Sequence, residues 1–254
     1  MDLVPLFKSH YSIGKSVLTY KAEGASKDNE PDSIVDIAKS RDMERVFSVE
    51  DGMSGFLEAY SNLKSSKIGL HYGLRITVCN DISDKTPESL TKACKFVIFA
   101  RNTHGYRLLI KLYSIAAKEG FYYEPRLDYK TIKSLWDKKH LKLCVPFYDS
   151  FLYYNTLTTS LCVPDTNSIP LTFFVEDNNL PFDHILESKV REFAKDRGDV
   201  VKTKSIYYKN KADFKTYLTF RCISKRTTLS KPNLDHMCSD EFSVESLDEK
   251  IQNN

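Results

Sequence analysis

The sequence has one tryptophan, no C-x-x-C pair, and no histidines spaced as H-x-H or H-x-x-x-H. Its six cysteines (Cys79, Cys94, Cys144, Cys162, Cys222 and Cys238) are scattered, which excludes a local zinc knuckle or dithiol motif and fits a reducing, intracellular compartment. His10, His71, His104, His140, His184 and His236 offer no local metal-ligand spacing and read as surface or packing residues. No apolar run approaches the roughly 18 residues that a membrane span needs. Met1 to Leu6 is followed at once by Lys8, so neither a signal peptide nor an anchor is visible. An excess of one charge is also lacking. The 37 basic and 34 acidic residues leave +3, too little to argue nucleic-acid binding from the total. No repeat of fixed period and no low-complexity tract occurs, which excludes solenoids.

What remains is ordinary for a protein with a real core: 254 residues, 41% apolar and 28% charged. The simplest count is one domain, since single barrels reach this length. The polar stretch from Tyr20 to Asp32, with Gly24 and Pro31, reads as an exposed loop. Asp32 or Ser33 then caps a helix with Ile34, Val35, Ile37 and Ala38 as its apolar face, and Arg45 to Val49 follows as a strand. The pattern continues with a helix over 56–63 and strands over 69–78 and 94–100. A helix over 106–117 starts after a turn at His104 and Gly105. Strands over 141–145 and 171–175, a helix over 182–197 and a strand over 200–207 complete it. This alternation predicts an α/β fold of parallel strands joined by crossover helices. Residues 245–254 are polar and charged and are expected to fray as a tail beyond a domain at 1–244.

Several short motifs fail. Gly14-Lys15-Ser16 ends like a P-loop, but Ser9 stands where the loop needs glycine. Gly52-Met53-Ser54-Gly55 lacks the spacing of a nucleophile elbow, because Phe56 occupies the second glycine position. It reads as a turn. Tyr122, Tyr123, Tyr148, Tyr153 and Tyr154 have the rings to stack on bases, but packing against helix and strand faces suits them better, since Lys and Arg do not interleave regularly with them. The densest basic and aromatic stretch is Lys202, Lys204, Lys209, Lys211 and Lys215 with Tyr207 and Tyr208, followed by Arg221, Lys225 and Arg226. These are candidate nucleic-acid contacts, and a solvated helix face explains the same charges as well.

Longer segments carry more. Ala100-Arg-Asn-Thr-His-Gly-Tyr-Arg-Leu-Leu-Ile-Lys-Leu, continued by Ala117-Lys-Glu-Gly-Phe-Tyr-Tyr-Glu-Pro-Arg-Leu-Asp128, resembles the "AKN-x-x-GY-x-x-LIKL … EGFYYKPRID" stretch of the PHP (polymerase and histidinol phosphatase) domain in bacterial DNA polymerase III alpha subunits. Cys222-Ile223 through Lys225, Thr228-Leu229, Pro232-Asn233 and Ser239-Asp240-Glu241-Phe242 resemble the segment that closes that domain. Ser9-His10-Tyr11-Ser12 and Ser48-Val-Glu-Asp-Gly52 fall where the family reads "HSEYSLLDG" and "LTDHG". The resemblance runs from about residue 3 to residue 244. It implies a distorted TIM-like (β/α)7 barrel, here without the polymerase palm, fingers and thumb, and so a stand-alone copy.

Active members of that family hold two or three divalent metals on His, Asp and Glu at strand ends and activate water against a phosphoester. Aligned with them, this sequence has Val4 and Leu6 for the opening H-x-H, Lys15 for the aspartate of "LLDG", Glu50-Asp51 for the D-H of "TDHG" and Arg75 for the glutamate of "GCE". Asn178 replaces the histidine of "RHG", and Ser205 and Tyr207 replace the closing D-x-H. Only Glu50 and Asp51 are still metal donors, and Lys15 and Arg75 bring positive charge into the same pocket, where ion pairs to Glu50 or Asp51 are expected. The resemblance therefore implies a degenerate metal pocket with no catalytic residue, no metal and no cofactor.

The expected function is a non-catalytic interaction or scaffold module in DNA replication. Its partners would be a polymerase, a proofreading exonuclease or another replication protein, in the cytoplasm and away from membranes. A small genome such as a phage's would be a fitting home by analogy, with the host cytoplasm as location. Two alternatives stand beside it: a metal-dependent phosphoesterase or 3′-5′ exonuclease with a reduced site on Glu50 and Asp51, and a module that binds single-stranded nucleic acid.

Overall fold

A computed structural model describes residues 3–27, 30–167, 169–230 and 239–252. Seven strands close into a barrel: β1 (Val4–Phe7), β2 (Arg45–Glu50), β3 (Gly69–Cys79), β4 (Cys94–Ala100), β6 (Leu141–Val145), β7 (Leu171–Val175) and β8 (Gly198–Ile206), with β8 pairing back onto β1. A short β5 (Arg126–Asp128) extends the far end of β3. Around the barrel lie α1 (Ile34–Ser40), α2 (Phe56–Ser65), α3 (Pro87–Thr91), α4 (Thr103–Lys118), α5 (Tyr129–Leu135), α6 (Phe151–Leu157), α7 (Asp183–Ala194), α8 (Phe214–Lys225) and α9 (Val244–Gln252). The expected TIM-like α/β barrel is the fold observed. Among the described residues no helix is long and apolar enough to cross a membrane.

The helices begin where side chains can satisfy the first free backbone N–H groups. Ser33, rather than Asp32, caps α1 by accepting from Val35 N, and Asn102, Asp128 and Ser150 do the same for α4, α5 and α6. Because Asn102 reaches Gly105 N, α4 starts three residues earlier than the sequence suggested, and His104 and Gly105 lie inside the helix rather than in a turn. Strand direction is the larger correction. β4 is antiparallel to both β3 and β6, so the barrel is not uniformly parallel.

Alternation along each strand separates two environments. On β3, Leu74, Ile76 and Val78 face outward and pack with Phe96 and Ile98 of β4 and with Leu109, Leu112 and Ala116 of α4. On the opposite flank, Ile34, Val35 and Ile37 of α1, Ala59 and Leu63 of α2 and Val46 of β2 form a second outer layer. The inward positions Leu6, Val49, Val97, Phe99, Cys144 and Phe174, with Val4, Phe47 and Val201 against them, fill the lumen. Gly73 is needed there: a Cβ on it would lie 2.8 Å from the Phe99 ring, which takes the space beside β3.

Within the tail expected to fray after residue 244, residues 245–252 are instead helical. In α9, Val244 and Leu247 are buried in the second outer layer, and Arg41 beyond α1 pairs with Asp248. Leu247→Ala should therefore lower stability by about 2–5 kcal/mol in urea unfolding, as for a buried leucine that leaves a cavity. A frayed segment would leave the midpoint unchanged.

Candidate functional site

The lumen changes character toward the C-terminal ends of its parallel strands, where barrel folds build their sites. Beyond Leu6 the chain continues to Lys8, beyond Val49 to Glu50 and Asp51, and beyond Val145 to Asp149. Glu176 follows β7, and Ser205 and Tyr207 lie at the end of β8. The strands thus deliver an apolar plug below and a ring of polar and charged side chains above.

Asp51 is the centre of that ring. Its carboxylate accepts from Lys8 Nζ at 3.1 Å and Lys15 Nζ at 2.7 Å, and lies 3.7 Å from Arg75 Nη1. Arg75 reaches across from β3 and also binds Asp149 through Nη2. Burial alone would raise the Asp51 carboxyl, but Lys8, Lys15 and Arg75 override it and hold the group well below the usual carboxylate range. Asp149 is likewise held low against burial by Arg75.

Glu50 faces a different set of partners. It is fully buried and accepts from Ser9 N (2.8 Å), Ser12 Oγ (2.6 Å) and Tyr20 Oη (3.0 Å). Its carboxyl is pushed up by burial, more than Lys8 and these donors pull it down. On the far side of the mouth, Glu176 accepts from Ser205 N and Oγ and from Asn178 Nδ2, all at 2.8–3.0 Å. Asn178 also donates to Tyr148 Oη and accepts from the buried Lys204, which pairs with Glu241 at 3.1 Å. Over the end of β3, Lys95 binds Glu124 at 2.6 Å and the Thr77 hydroxyl.

A family model for the PHP domain matches residues 25–154, just over half of the 254 residues. The chain belongs to the PHP domain family. It is also similar to two curated proteins named DNA polymerase III subunit alpha, both from Helicobacter pylori: 35% identical over 83 residues in strain ATCC 700392 / 26695 and 34% in strain J99 / ATCC 700824. In each case the matched stretch is 32% of this chain and 7% of the relative's length.

Within this PHP domain the positions picked out from sequence gather at one mouth. Val4 and Leu6 point into the lumen, and Lys15, Asp51 and Arg75 form one ion cluster. Glu50 is joined to it through Ser12, which donates to Glu50 and accepts from the Asp51 backbone N–H. Asn178 and Ser205 share Glu176, and Tyr207 lines the same cavity with its ring stacked on Phe242. Sequence reasoning missed Lys8, Lys95, Glu124, Asp149 and Glu176. For all but Glu124, which lies in the loop before β5, the one signal is position, an ionisable residue near the end of an apolar strand.

The candidate nucleic-acid lysines lie in different surroundings. Lys204 is a correction: its side chain is buried, because β8 turns it toward Asn178 and Glu241. Lys209 pairs with Asp32 and Lys211 with Glu249, while Lys202 and Lys215 are exposed. Of the tyrosines, Tyr148 and Tyr153 are buried packing residues, whereas Tyr123 is 80% exposed. Pro232 and Asn233 of the resemblance, and also His236 and Cys238, lie outside the described residues.

The donor set does not suit a divalent metal. Among the described residues, no three His, Cys, Asp or Glu side chains come together as a metal-holding group. Asp51 is saturated by three cations and Glu50 by O–H and N–H donors, so a dication would meet repulsion where it needs free lone pairs.

The cluster also sets an acid response. Asp51 and Asp149 have depressed folded-state pKa values, so their stabilisation is present above the ordinary carboxylate pKa of about 4 and is lost as pH falls below it. Glu50, pushed up, works in the opposite direction, but at pH above its ordinary value. Asp51→Asn should cost about 3–5 kcal/mol at pH 7, by leaving cations unpaired, and should flatten the loss of stability below pH about 4 in urea melts. Wild-type slope in the variant would show that Asp51 does not carry the acid limb.

Proposed function

We propose that this PHP domain is a non-catalytic module that works through protein contacts in DNA replication, engaging a polymerase, a proofreading exonuclease or another replication protein. The relation to DNA polymerase III alpha supports the replication setting. The observation that carries the non-catalytic reading is Asp51: one of the two remaining candidate ligands is bound by Lys8, Lys15 and Arg75. An activated water needs a cation held by free carboxylate and imidazole donors. Three cations around Asp51 support the reading that no such metal is held there. On this reading the ion cluster keeps the mouth folded, and the fold offers its outer surface to partners in the cytoplasm, the host's if the genome is viral.

Purified protein should carry less than one equivalent of Zn, Mn or Fe by elemental analysis. It should leave p-nitrophenyl phosphate and single-stranded DNA intact, while retaining replication proteins from its source cell in a pull-down. A stoichiometric metal with hydrolysis would establish the phosphoesterase or exonuclease alternative instead.

Arg75→Glu tests the pocket directly. It places a third carboxylate beside Asp51 and Asp149, so the variant should melt well below wild type, by about 3–5 kcal/mol, and added Mn2+ should restore part of the loss. Identical melting with and without Mn2+ would remove Arg75 from the former metal pocket.

A further inference from the structure

Two of the cysteines that are far apart in the sequence meet in the fold. Cys94 is the first residue of β4, and Cys162 lies in the irregular stretch between α6 and β7. Both are buried in the outer apolar layer. Their thiols are hydrogen-bonded, with Cys94 donating to the Cys162 sulfur. The Cys162 thiol in turn donates to the carbonyl oxygen of Ala93 at 3.4 Å, beside the start of β4, and the Cys94 sulfur lies 3.9 Å from Tyr129 Oη. The contact is fixed from both sides. Pairing with Val78 of β3 holds Cys94 in the sheet. No strand or helix holds Cys162, and the Asn155 side chain takes that part: its Oδ1 accepts from Cys162 N at 2.7 Å and its Nδ2 donates to Cys162 O at 2.9 Å. Leu161 and Val163 on either side are 70% and 66% exposed, so the stretch turns only Cys162 of the three inward.

Each sulfur also borders a cavity through which a small molecule reaches it. Cys162 lines one of about 530 Å3 with Phe151, Ile169 and Phe193. Cys94 lines another, of about 470 Å3, with Leu90 and Ala93. Cys79 and Cys144 are placed differently. Cys79 turns its thiol to Leu127 O, and Cys144 lies in the lumen, where burial pushes its thiol up to about 12. At Cys162 the hydrogen bond from Cys94 pulls the thiol below its usual range, against burial. The thiolate is the form that attacks an oxidant.

We propose that Cys94 and Cys162 form a redox modification site, which a small hydroperoxide converts to a reversible disulfide. The Cys162 thiolate attacks one peroxide oxygen, the O–O bond breaks, and the departing hydroxide takes up a proton and leaves as water. Cys162 is then a sulfenic acid, with the Cys94 thiol in contact. The Cys94 sulfur attacks the Cys162 sulfur, the S–O bond breaks, and the hydroxyl leaves with the Cys94 proton as a second water. Two thiols are thereby oxidised by two electrons and one hydroperoxide is reduced. The sulfurs need only close from contact to about 2.05 Å. A thiol reductant reverses the bond, so in a reducing compartment it forms transiently under oxidation. The cross-link ties the start of β4 to the stretch before β7 and encloses α4, β5, α5, β6 and α6 in one covalent loop, which restricts the unfolded chain. None of this depends on whether the barrel mouth holds a metal.

The test is to treat the intact folded protein with hydrogen peroxide at neutral pH, alkylate the remaining thiols in urea, digest without reductant and map the peptides by mass spectrometry. The Cys94 and Cys162 peptides should be recovered joined, lighter by two hydrogens, with Cys144 alkylated. Dithiothreitol should restore both thiols. The oxidised protein should unfold at a higher urea concentration than the reduced one. Cys94→Ser should leave Cys162 as a sulfenic acid that dimedone traps, and Cys162→Ser should slow the oxidation of Cys94 at least tenfold. The wild-type map requires neither variant to fold. A bond from Cys94 or Cys162 to any other cysteine would overturn the site, as would sulfinic acid at Cys162 with Cys94 still free. Two thiols that survive peroxide in the folded protein, or pair no faster there than in urea, would make them packing residues only and overturn it as well.

Discussion

Three cations converge on one carboxylate at the open end of the barrel, and the arrangement of the mouth follows from that convergence. Asp51 stands at the end of β2, Lys8 beyond β1, Lys15 in the loop after it, and Arg75 on β3. Arg75 then extends the network to Asp149 beyond β6. A charge placed in a partly desolvated lumen costs several kcal/mol unless it is paired, so each member constrains the others. Ser12 links the cluster to Glu50, and Glu50 to Tyr20 and Ser48, which ties the loop from Ser9 to Ser16 down onto the barrel. The apolar plug of Leu6, Val49, Val97 and Phe174 closes the lumen beneath it.

The same charges bear on what the mouth can attract. A site built from carboxylates and imidazoles gathers metal cations and takes phosphate through them. Here ammonium and guanidinium groups of Lys8, Lys15 and Arg75 surround the Asp51 carboxylate.

Much of the architecture was legible in the sequence. The apolar runs at 94–100, 141–145 and 171–175 are strands with those bounds, since a short apolar stretch between polar flanks has few other ways to be buried. The direction of β4 was not legible, because an apolar run reads alike from either end and only its neighbours decide how it pairs. α9 was missed for a different reason. Val244, Leu247 and Ile251 keep helical spacing, but charged residues outnumber them. At the site, Lys15, Asp51 and Arg75 were found through the family resemblance, whereas Lys8, Asp149 and Glu176 required the fold. Nothing local distinguishes a lysine that turns into a barrel from one that points to water.

The reversal of β4 has a consequence for how the barrel assembles. Antiparallel to β3 and separated from it only by residues 80–93, β4 makes the most local pairing in the sheet, with six residue pairs in register from Gly73 with Phe99 to Val78 with Cys94. Closing that loop forfeits little chain entropy, whereas sealing the barrel joins Leu6 to Ser205, nearly the whole chain apart. The β3–β4 hairpin is thus the natural early nucleus, and the β1–β8 seam the last to form. Arg75 sits on the early element and finds Asp149 only after β6 has joined, whereas Lys8 meets Asp51 once β1 has paired with β2. The arm of the electrostatic mouth that runs from Arg75 to Asp149 is accordingly completed only once the two halves of the sheet have met.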